Sequence, residues 1–117
     1  MTRKLMAGLA TALALAGSPV VAHPKMLAST PAEGAAVAAP ATIKLDFSEK
    51  LIERLSGARL ARADGQLPKT VISFVGEGKS MQLAPAAPLA AGNYTVEWFG
   101  VAGDTHRVTG ALHFTVR

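Results

Sequence analysis

Residues 94–99 read YTVEWF. In an extended chain successive side chains point to opposite faces, so Tyr94, Val96 and Trp98 share one side. IKLDF, at 43–47, sets Ile43, Leu45 and Phe47 against Lys44 and Asp46, and ALHFTV, at 111–116, sets Leu112, Phe114 and Val116 against His113 and Thr115. TVISFV, SMQL and the segment around Leu60 are further strand candidates. TPAEG, ADG, GEGKS and APAAPLAAGN separate these runs with turn-forming residues. Past residue 22 no segment of helix length carries a 3.6-residue period, and SEKLIERL reads as one helical turn or a charged edge strand. PAEGAAVAAP, at 31–40, reads as a surface loop. About seven short strands with frequent turns predict an all-β, immunoglobulin-like antiparallel β-sandwich. A small closed barrel is the alternative.

The start of the chain has another character. Arg3 and Lys4 precede the apolar run LMAGLATALALAG, then Ser18, Pro19, Val20, Val21 and Ala22. A charged start, a short apolar stretch and small residues at −3 and −1 describe a secretory signal peptide over 1–22, cleaved between Ala22 and His23. The run is shorter than a membrane-spanning helix requires, and nothing after it is long and apolar enough to span either. Cleavage leaves one domain, 23–117. Without Arg3 and Lys4, ten cations face eight acids, a balance of +2. That is too mild to argue for nucleic acid or an acidic membrane surface. The chain has no cysteine, which excludes thiolate metal sites and leaves the exported domain to stabilise itself by packing.

Three histidines remain as candidate ligands: His23, His106 and His113. His113 sits on the outward parity of a strand and reads as a solvent-facing residue. His106 lies in GDTHRVTG, two residues after Asp104. If that stretch is extended, Asp104 and His106 project to the same side, at an open end of the sandwich. Alone the pair is weak evidence, because Asp commonly bonds backbone amides in turns. His23 adds to it. A terminal histidine offers its α-amine and ring Nδ1 to one metal ion. Pro24 has no amide N–H, so the peptide nitrogen after His23 cannot be deprotonated and join them. Further positions are then open to His106 and Asp104. Three nitrogens and one oxygen suit a tetragonal Cu(II) ion.

HPKMLASTPAEG, IKLDFSE, PLAAGNYTVEW and DTHRVTGALHFTV together resemble the CopC family of periplasmic copper-resistance proteins. The likeness covers residues 23–117. The resemblance implies a Greek-key β-sandwich and one Cu(II) per chain at His23, Asp104 and His106. Glu49, in FSEKL, matches a family carboxylate that can approach this site. It further implies a periplasmic copper carrier or buffer that is not an enzyme, with an inner-membrane copper-transport protein of the CopD type as partner. Some members carry a methionine-rich Cu(I) loop; the corresponding LSGARLARADGQLPKTVISF holds neither methionine nor histidine, which points to a Cu(II)-only member. Met26 and Met81 read as core filler. Two rival readings are a small copper-dependent redox enzyme with a histidine brace and a metal-free immunoglobulin-like interaction module.

Overall fold

The computed structural model describes residues 23–117, so the signal peptide read over 1–22 lies outside the described residues. The alternating segments form eight strands: β1 (Met26–Thr30), β2 (Ala35–Val37), β3 (Ile43–Phe47), β4 (Gly57–Arg62), β5 (Thr70–Val75), β6 (Ser80–Pro85), β7 (Gly92–Val101) and β8 (Arg107–Val116). They make two four-stranded sheets, ordered β1-β3-β6-β5 and β2-β8-β7-β4. The architecture is the expected immunoglobulin-like sandwich, with two corrections. β2 arises inside the stretch read as a loop, and it runs parallel to β8. Three alanine-rich residues carry no alternation to read; their strand character is imposed from outside. Gly34 donates its N–H to the His113 carbonyl at 2.7 Å, and Arg117 donates to the Val37 carbonyl at 2.8 Å. SEKLIERL resolves into one 3-10 turn, Glu53–Leu55.

The inward parity supplies the core. Ile43, Leu45, Phe47, Met81 and Leu83 come from one sheet, and Leu60, Tyr94, Val96, Trp98, Leu112, Phe114 and Val116 from the other, all buried. Full burial of an aliphatic or aromatic side chain contributes about 1.5–3 kcal/mol, which is how a domain without disulfides holds together. Met81 is wholly enclosed and Met26 packs on the core's margin, so both serve as filler. Tyr94 stacks on Phe114 with ring centroids 5.5 Å apart and donates its hydroxyl to the Ala90 carbonyl at 2.7 Å. Trp98 meets Phe47 edge to face at 4.9 Å. Its neighbour across the β7–β8 ladder is Gly110, where a Cβ would lie 2.4 Å from the indole Cζ2. Among the described residues no helix is long and apolar enough to cross a membrane.

Candidate metal centre

The β7–β8 hairpin closes at the pair Val101–Arg107, and residues 102–106 bridge it. The bridge is not extended. Thr105 donates its N–H to the Ala102 carbonyl at 2.9 Å, forming a tight turn, and adopts φ +64°. A β-branched residue rarely occupies that left-handed region. Asp104 then uses one oxygen locally: Oδ1 accepts the His106 backbone N–H at 3.1 Å. The turn-forming and site-forming readings of this aspartate thus hold together, one per oxygen.

Oδ2 faces the two imidazoles. It lies 2.6 Å from His23 Nδ1 and 3.8 Å from His106 Nδ1. The shorter contact lacks the alignment of a hydrogen bond, and Oδ2 is buried with no hydrogen-bond partner. The Asp104 side chain is 8% exposed, against 51% for His23 and 69% for His106. The two rings tilt at 46° with centroids 5.4 Å apart. One ligand atom from each residue lies within 4.8 Å of the other two. A buried carboxylate oxygen with no hydrogen bond is costly, and a cation shared with the imidazoles would relieve that cost. Two imidazole nitrogens and one carboxylate oxygen suit a borderline divalent ion such as copper or zinc.

His23 reaches this place because its successors are pinned. Pro24 is fully buried. It sits beside Leu51 and Gly100; a Cβ on Gly100 would lie 3.2 Å from Leu51 Cδ2 and 3.9 Å from Pro24 Cγ. Lys25 donates its N–H to Ser48 Oγ at 3.0 Å, and Ser48 returns its own N–H to the Lys25 carbonyl at 2.9 Å. Ser48, Leu51, Gly100 and Thr105 thus shape the site without touching a metal. Sequence reasoning gave none of them a part in the site, since their parts depend on contacts between distant segments.

Glu49 lies outside the three-residue cluster. It is half-buried and lines a shallow cleft of about 490 Å³ with Glu53 and Gly103, the residue before Asp104. His113 lies apart too, 3.1 Å from Glu33 through Nδ1.

A CopC domain family model matches residues 26–117, starting three residues after His23. Copper resistance protein C of Pseudomonas syringae pv. tomato is 45% identical over 103 residues, 82% of this chain and 82% of that protein. Among solved structures, PcoC, a methionine-rich copper resistance protein from Escherichia coli, gives a TM-score of 0.77 at 40% identity. The match covers 82% of this chain and all of that one. CopC from Methylosinus trichosporium OB3b gives 0.73 at 26% identity, covering 80% and 93%.

Proposed function

Because the chain belongs to the CopC family, we propose that it is a periplasmic copper carrier or buffer, not an enzyme, holding one Cu(II) as cargo. The buried Oδ2 of Asp104, without a hydrogen bond and facing two imidazoles, is the observation that carries this reading. In the proposal residues 1–22 are a signal peptide removed before His23, and 23–117 is the copper-binding domain. The freed α-amine then joins His23 Nδ1, while His106 and Asp104 supply the remaining donors. Pro24 keeps the backbone out of the ligand set. Glu49 stands beside the turn as a nearby carboxylate. The recipient or donor is an inner-membrane copper transporter of the CopD type. The exposure of both imidazoles favours exchange of the ion with such a partner over its sequestration.

Cu(II) is preferred over Cu(I) because the described residues hold no cluster of soft thioether ligands: Met26, partly buried, and Met81 are their only methionines. PcoC is described as methionine rich, whereas here Met81 is enclosed in the core and Met26 packs against it. The enzyme reading is weaker because Asp104 sets its oxygen close to the imidazoles, where a redox site would keep room for an oxygen species. One experiment tests the proposal: N-terminal mass analysis and copper titration on the same exported sample. The expected result is a chain beginning at His23 that binds one Cu(II) equivalent. A second stoichiometric equivalent of Cu(I) under anaerobic conditions would count against it.

A further inference from the structure

Resting on the Cu(II) reading, we infer that Ser48 is a positioning residue of the metal centre. Its hydroxyl holds the chain just after His23 where the ring meets Asp104, and so sets how tightly the ion is held. His23 lies three residues before β1 begins at Met26. Its side chain is 51% exposed, so its own packing does little to fix it. Its place is set by the two residues between. Pro24 is buried and has no N–H to donate. Lys25 is exposed, and two hydrogen bonds to Ser48 tie it down. In a regular antiparallel pair both such bonds join main-chain groups. Here only one does, from the Ser48 N–H to the Lys25 carbonyl at 2.9 Å. The other, from the Lys25 N–H, goes to Ser48 Oγ at 3.0 Å. The hydroxyl therefore stands in for a carbonyl at the last rung before the chain turns to the metal centre, and an alanine at 48 would leave that rung empty. Ser48 is itself a fixed post. Phe47 donates its N–H to the Lys79 carbonyl at 2.8 Å, and Leu51 donates to the Gly78 carbonyl at 2.9 Å. A binding constellation weakens once its groups stray by about 0.5 Å, and His23 Nδ1 has to stay beside Asp104 Oδ2, 2.6 Å away. With Oγ taken by the Lys25 N–H, Ser48 acts through Lys25 and not on the metal.

The test compares Ser48→Ala with Tyr94→Phe in the exported chain that begins at His23. Tyr94→Phe removes the hydroxyl bond to the Ala90 carbonyl near the start of β7, away from the turn that carries Asp104. It controls for a fold weakened elsewhere, and urea unfolding of the metal-free proteins measures that loss in both variants. Without metal, Ser48→Ala should speed amide exchange at Lys25 by about two- to tenfold. With metal, it should raise the Cu(II) dissociation constant, measured by competition with a chelator, by about tenfold or more. The Cu(II) electron paramagnetic resonance signal should also broaden from one species into a mixture. Tyr94→Phe should change none of the three. Full copper affinity in Ser48→Ala, unchanged exchange at Lys25, or an equal loss of affinity in Tyr94→Phe overturns the inference and leaves the copper reading standing. An unsubstituted chain that binds no Cu(II) overturns both.

Discussion

Asp104 divides its two oxygens between a turn and a metal-ready corner, and only the first use is visible in local sequence. Asp-x-His suggested a shared side on an extended chain; the structure reaches a shared side through a turn, because Thr105 takes φ +64°. Threonine gives no signal of that conformation. What the sequence did offer was chemical type: histidine and aspartate are side chains that can ligate a metal, and the structure brings His23, Asp104 and His106 together. Trp98 reports on this corner. Its ring packs on Phe47, whose neighbour Ser48 pins Lys25, two residues from His23. Cu(II) bound as proposed should strongly quench the single tryptophan, saturating at one equivalent, with the effect lost in His106→Ala. Full emission with copper demonstrably bound would place the ion elsewhere. Gly110 predicts separately. An alanine Cβ there would meet the indole at 2.4 Å, so Gly110→Ala should destabilise by about 1–3 kcal/mol through overpacking, measured by urea unfolding.

At the scale of elements, period-two alternation located β3, β7 and β8, because a half-buried strand must place apolar residues on one face; β4, β5 and β6 were legible only as short strand-like runs between turn residues. β2 was illegible since its residues carry no such contrast; β8 recruits it. Glu33 helps hold that junction. Its carboxylate accepts the His113 backbone N–H at 3.0 Å and approaches the ring Nδ1 at 3.1 Å. The backbone hydrogen bond is the largest cause that draws the Glu33 pKa below its ordinary value, with the His113 side chain a lesser one. The folded value therefore lies below the unfolded one. The contribution to stability is in place above about 4.3 and is lost as pH falls through the lowered folded value. A carboxyl-resolved NMR titration should find the Glu33 midpoint below that of an unfolded control. His113→Ala should raise it only part of the way, because the main-chain N–H persists. A complete return would assign the shift to the ring instead.

For the molecule as a whole, the fold class was readable because alternation and turn chemistry repeat along the chain. The site was readable only as a list of candidates. Its assembly needs the segment at His23 to meet the β7–β8 turn, a contact between distant parts of the chain that no local pattern encodes. It also makes copper binding a property of the folded state. A ligand present at a hundred times its dissociation constant adds about 2.7 kcal/mol to apparent stability. Cu(II) should thus raise the melting temperature of the chain that begins at His23. One extra residue before His23 should displace the amine, weaken Cu(II) binding by orders of magnitude and largely remove that shift. An extended form that binds as tightly would eliminate the amine from the ligand set. Ligand deprotonation also couples affinity to acidity, so binding should weaken as pH falls.

Pro24 is fully buried, and the bond before it is an imide. Exopeptidases that trim a chain from its start must draw the first peptide bonds into an extended cleft. Here the second residue is locked into the domain, and the bond they would cut has no N–H to offer. A chain that began at His23, as proposed, would therefore be shielded from stepwise erosion, and the imidazole and amine assigned to the cargo would be kept with it.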